Sequence, residues 1–136
     1  MIVDTSVIVA IIFEEPEAQR FSNAIERAPT CSMSAASYVE AAIVLDGSRN
    51  PIVSRRFDDL IREGGIDIEP VSVVQARIAR EAYRDYGKGS RHPAQLNLGD
   101  CFAYALSRDR GEPLLFKGND FSQTDVRSAL KQTDPN

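Results

Sequence analysis

A single histidine, two cysteines and no basic excess narrow the chemistry open to this chain of 136 residues. His92 stands alone, and neither Cys31 nor Cys101 has a second ligand nearby in sequence, so a zinc site lacks its donor set. His92-Pro93 is not accompanied by a nucleophile elbow, which removes the usual frame for a Ser-His-Asp hydrolase. There is no Gly-rich phosphate loop and no CxxC pair. Two cysteines among apolar neighbours are expected as reduced core thiols, which suits a cytoplasmic protein. No apolar run reaches the roughly 18 residues of a membrane span. The apolar N-terminal stretch has no basic flank and is broken by Asp4, so a signal peptide is not expected. Lys and Arg number 16 against 20 Asp and Glu, and a net charge of −4 weakly opposes long-range attraction to nucleic acid. The basic residues are uneven, however. Arg77, Arg80, Arg84, Lys88 and Arg91 face only Glu81 and Asp85, leaving +3 locally and keeping a phosphate-bearing substrate open.

What is present is a set of isolated acids. Asp4 is the only charged side chain in residues 1–13, MIVDTSVIVAIIF. Glu40 is alone between Arg27 and Asp46, and Asp100 is alone between Arg91 and Arg108. A carboxylate in a core-forming segment is costly unless something pairs with it. No Lys or Arg in these windows can do so. A bound cation would satisfy all three, and hard ions such as Mg²⁺ and Mn²⁺ take oxygen ligands.

Short apolar runs at 1–3, 31–33, 66–68 and 114–116 read as strands. Between them, helical periodicity predicts helices over 5–13, 16–27, 34–45, 51–63, 72–86 and 99–109. Residues 88–98 form the one long irregular stretch, and 131–136 look like a frayed tail on a single domain spanning 1–136. Such alternation implies a parallel sheet covered by helices on both faces, whose site lies beyond the strand carboxyl ends. Asp4 and Asp120 follow strands, while Glu40 and Asp100 lie early in helices that start at that edge. Each acid alone has an ordinary explanation: Asp4 as a helix cap, Glu40 and Asp100 as acids near a helix N-terminus, Asp120 as part of a turn. Their predicted convergence is what points to a metal-dependent enzyme. Two rivals deserve comparison: a receiver-type phosphoacceptor domain, suggested by acids and Lys117 at strand ends, and an RNA-binding module that does not cut. The first needs an acceptor Asp after a central strand, where the third strand offers only Glu69-Pro70. The second gains nothing from four carboxylates that repel phosphate.

Asp4-Thr5-Ser6 after the first strand, the lone Glu40, Leu98-Gly99-Asp100 and Gly118-Asn119-Asp120-Phe121 together resemble the PIN-domain ribonucleases. The run from Tyr86-Gly87-Lys88-Gly89 through Arg91-His92 to Asn97-Leu98-Gly99-Asp100-Cys101-Phe102 is similar to one group of VapC toxins of VapBC toxin–antitoxin systems, with Ser90 as an extra residue. The resemblance covers essentially the whole chain. It implies a three-layer α/β sandwich with a parallel sheet of four or five strands, Mg²⁺- or Mn²⁺-dependent endonucleolytic cleavage of RNA, a homodimer, and a cognate VapB-type antitoxin. On that basis Asp4, Glu40, Asp100 and Asp120 form the expected catalytic set, with Asp4 and Asp100 as direct metal ligands. Thr5, Ser6, Lys88, Arg91, Lys117 and Asn119 are the expected substrate contacts.

Overall fold

The computed structural model describes residues 1–130; the tail expected over 131–136 lies outside them. Its elements in order are β1 (Ile2–Val3), α1 (Thr5–Ile12), α2 (Ala18–Arg27), β2 (Cys31–Ser34), α3 (Ala35–Asp46), α4 (Pro51–Glu63), β3 (Ile66–Glu69), α5 (Val73–Tyr86), α6 (Leu98–Arg110) and β4 (Leu114–Leu115), followed by a short 3₁₀ turn at Phe121–Gln123. The strands run parallel in the order β3-β2-β1-β4. A rudimentary fifth rung lies outside β4, where Leu114 N donates to Arg127 O and Ala129 N donates to Leu114 O (2.8 and 2.9 Å).

Period-two alternation places the sheet between two helical layers. Val3 and Leu115 pack with buried residues of α1, α2, α3 and α4, including Ile8, Phe21, Ala41 and Phe57. Ile2 and Leu114 point the other way, into a core built from Ala79 and Ala82 of α5 with Cys101, Tyr104 and Leu106 of α6. Both cysteines are free and buried.

The helices start and stop where the side chains dictate. Asp4, Ser34, Asn50, Ser72 and Asn97 each accept a backbone N–H of the helix that follows. Gly111 ends α6 at φ +66°, a left-handed backbone that glycine adopts without steric penalty. Several expected helix boundaries shift by a residue or two. Pro16 and Glu17 stay outside α2 as a turn, and α1 ends at Ile12. α3 and α5 start one residue later than expected because Ser34 and Ser72 serve as caps, and α6 begins at Leu98 rather than Gly99 because Asn97 supplies its cap. The segment before α6 is irregular yet held. Lys88 N donates to Leu96 O and Leu96 N to Tyr86 O (2.9 and 2.8 Å), while Ala94 and Leu96 are fully buried. No described helix is long and apolar enough to cross a membrane.

The result that matters for function is positional. β1 is an interior strand of the sheet, and its carboxyl end carries Asp4. β2 leads at the same edge into α3, which carries Glu40, and β4 leads into the turn that carries Asp120.

Candidate active site

Asp4 ends β1 and caps α1, with its Oδ2 accepting from Ser6 N (3.0 Å) and Ser6 Oγ (2.6 Å). It is only 3% exposed. Burial is the main reason its pKa is pushed up to about 7; the Ser6 hydroxyl and N–H oppose this, while the charges of Asp100 and Glu40 add to it. Asp100 sits at the third position of α6 in a reciprocal cap. Asn97 Oδ1 accepts from Asp100 N (2.8 Å), and Asp100 Oδ2 accepts from Asn97 N (3.0 Å). Its pKa is also raised, first by burial, against the pull of the Asn97 N–H. Glu40 and Asp120 raise it further, and Lys88 lowers it. The four acids therefore share one field.

Glu40 is placed by close approach. Its carboxylate lies against Gly99, so that a Cβ at position 99 would fall 1.9 Å from Oε2, 2.6 Å from Oε1 and 2.5 Å from Cδ. Only the absence of a side chain on the first turn of α6 makes room for it. That seat also brings the carboxylate to a helix N-terminus, where unpaired N–H groups favour negative charge. Asp120 is exposed and is steadied from behind by Phe121, which is 2% exposed and packs its ring 5.2 Å from that of Phe116.

The two hydroxyls after Asp4 have distinct structural jobs. Thr5 Oγ1 donates to Ser37 O (2.9 Å), tying α1 to the first turn of α3 that carries Glu40. Ser6 Oγ donates to Asp4 while accepting Lys117 N (3.0 Å), so one hydroxyl joins the ends of β1 and β4. Among the expected substrate contacts, Lys88 lies within electrostatic reach of Asp100, and Arg91 and Asn119 are exposed. Lys117 is engaged elsewhere. Its Nζ pairs with Glu15 and, at 3.2 Å, with Glu17, rather than balancing Asp120. Nothing in the sequence pattern announces that pairing, which depends on the turn before α2. Asn97 and Gly99 also escaped assignment from sequence. The Asn-x-x-Asp spacing signals the cap, whereas the contact between Glu40 and Gly99 has no local signature.

None of the four acids has an ion pair among the described residues. Nor do three His, Cys, Asp or Glu side chains among those residues close tightly enough to hold an ion by protein atoms alone. The donors gathered here are carboxylate oxygens, the ligand type of hard cations, which use one or two carboxylates and keep several waters.

Two outcomes are expected. A carboxyl in the unfolded chain titrates near 3.8, but folded Asp4 holds its proton to about 7. Its favourable contribution is full below about pH 4 and is lost as pH rises through 7, on the order of a few kcal/mol. In chelator, the melting temperature should fall from pH 5 to pH 8. Asp4→Asn, which keeps the cap, should flatten that slope, and Mg²⁺ or Mn²⁺ at pH 8 should raise the wild-type value more than the variant's. Second, Gly99→Ala should displace Glu40 and remove most catalytic activity against RNA, while circular dichroism still reports a folded protein.

Comparison with known proteins places the chain in a family. Residues 1–127 match the family model described as the PIN domain. The chain is 55% identical over 130 residues to ribonuclease VapC28 of Mycobacterium tuberculosis, covering 96% of this chain and 98% of the relative. It is 53% identical over 129 residues to ribonuclease VapC42 of the same species, covering 95% and 98%. Its fold is similar to the crystal structure of Mycobacterium tuberculosis VapC20, a sarcin-ricin loop cleaving toxin, with a TM-score of 0.71, 16% identity, and coverage of 92% and 95%. A toxin–antitoxin complex from Klebsiella pneumoniae gives 0.69 at 18% identity, covering 96% and 98%. The spacing of four acids around one sheet edge and the similarity along nearly the full length converge: this chain belongs to the PIN domain family, among the VapC ribonucleases.

Proposed function

We propose that this protein is the toxin of a toxin–antitoxin pair and cuts RNA internally with the help of Mg²⁺ or Mn²⁺. The observation that carries the reading is a cluster of four mutually repelling carboxylates at the carboxyl edge of the sheet, with no ion pair among the described residues. When bound, a hard cation supplies a lowered pKa for water and stabilises charge on the phosphodiester. Asp4 and Asp100 would hold it, one fixed by Ser6 and the other by Asn97. Glu40 and Asp120 would accept hydrogen bonds from waters in the pocket and orient one of them toward phosphorus. Lys88 at the rim would meet a phosphate oxygen of the substrate.

Assembly fits the same face. Val39 and Ile43 of α3 are 57% and 69% exposed and flank Glu40, and Leu98, 68% exposed, precedes the glycine that Glu40 touches. This apolar rim supports a homodimer that brings two acidic pockets near one another. The acidic pocket itself suits a basic side chain from an antitoxin tail. A binding module that does not cut has no observation in its favour.

The test is cleavage of total cellular RNA. Purified protein should cut in Mg²⁺ or Mn²⁺, stop in chelator and resume when the metal is returned. Asp4→Asn and Asp100→Asn should reduce cutting to background while remaining folded. Cleavage that persists in chelator, or full activity in both variants, would overturn the proposal.

A further inference from the structure

A cavity of about 590 Å³ opens between the start of α2 and the segment after β4, lined by Phe116, Lys117, Asn119, Ser122, Val126 and Arg20 among others. The mechanism proposed above makes no use of it. Its volume is within the roughly 300–1,000 Å³ of pockets that enclose small ligands. It adjoins the acids at two points, through Asn119, the neighbour of Asp120, and through Lys117. Lys117 lines the cavity, and its N–H donates to Ser6 Oγ, which in turn donates to Asp4 Oδ2.

The chemistry of the walls argues for the kind of occupant. Phe116 is half-buried, its ring braced by Phe121 at 5.2 Å, so it offers a fixed aromatic surface. Asn119 and Ser122 are exposed side chains carrying both donors and acceptors. A phosphate would need cationic partners, but Lys117 is paired with Glu15 and Glu17, Glu17 itself lines the cavity, and Arg20 is engaged within the protein. An apolar flat surface with a polar edge and little unpaired positive charge matches a neutral heteroaromatic ring. Unpaired bases of RNA are recognised in this way, by stacking on aromatic side chains and hydrogen bonding at their edges.

Resting on the endoribonuclease reading, we propose that this cavity takes one unpaired nucleobase flanking the scissile phosphate, with Phe116 stacking on the base and Asn119 reading its edge. The cavity would then be where this enzyme discriminates among RNA sequences.

The experiment uses a short RNA spanning a cut site mapped on total RNA, with one abasic nucleotide walked through the three positions on each side. Wild-type protein and Phe116→Leu, which keeps apolar packing on Phe121, are compared in Mn²⁺ after both are shown to be folded. At one position, loss of the base should lower wild-type kcat/KM by about 5- to 150-fold, the range that stacking supplies. Phe116→Leu should lose a similar factor on intact RNA and little more on that abasic RNA. The proposal is overturned if every abasic position is tolerated, or if Phe116→Leu loses equally on intact and abasic RNA. It also falls if Phe116→Leu weakens binding of a basic antitoxin peptide while RNA kinetics stay unchanged, which would assign the cavity to a protein partner. Failure of the wild type to cut any RNA in Mn²⁺ overturns the activity itself, a different result.

Discussion

Carboxylates that repel one another in a partly dry pocket are the constraint around which this structure is arranged. No ion pair among the described residues neutralises them, and burial first, with the charges of Asp100 and Glu40 behind it, pushes the pKa of Asp4 up to about 7. Holding such groups together requires scaffolding that does not yield. Each acid has its own fixture: a cap and a serine for Asp4, a reciprocal cap for Asp100, a bare glycine for Glu40, and a packed phenylalanine beside Asp120. The fixtures come from α1, the start of α6 and the turn after β4, and the acids they hold lie in four parts of the chain, so the sheet order that brings these together is itself part of the site.

Much of this was legible in the amino-acid sequence because the physical cost is visible there. Asp4, Glu40 and Asp100 stand out as single charges in apolar windows, and strand–helix alternation predicts the edge at which they meet. Strand positions agree with the structure to within a residue because short β-branched or apolar runs bounded by caps leave few alternatives. The hidden parts depend on tertiary approach. Gly99 reads as a helix-opening glycine until Glu40 is seen lying on it. Lys117 reads as a strand-end lysine until the turn before α2 brings Glu15 and Glu17 to it. The stretch before α6 looked irregular because it has no periodicity, yet Ala94 and Leu96 anchor it in the core.

Electrostatics at longer range sets up a tension that the site must resolve. A chain of net charge −4 presents an acidic pocket to a polyanion. The cations between Arg77 and Arg91 soften this, although Arg84 is already paired with Asp85 at 2.9 Å. Lys88 is the cation of that run that reaches the field of Asp100. On the proposed reading, charge would bring RNA close only where the pocket's own negative charge has been met, and RNA binding would then depend on occupancy of the acidic centre.

The most direct test is the anomalous scattering of a manganese-soaked crystal. The account predicts a peak within bonding distance of carboxylate oxygens of both Asp4 and Asp100, with Glu40 still seated against Gly99. Asp4 and Asp100 in an ordered pocket with no manganese beside either would contradict it.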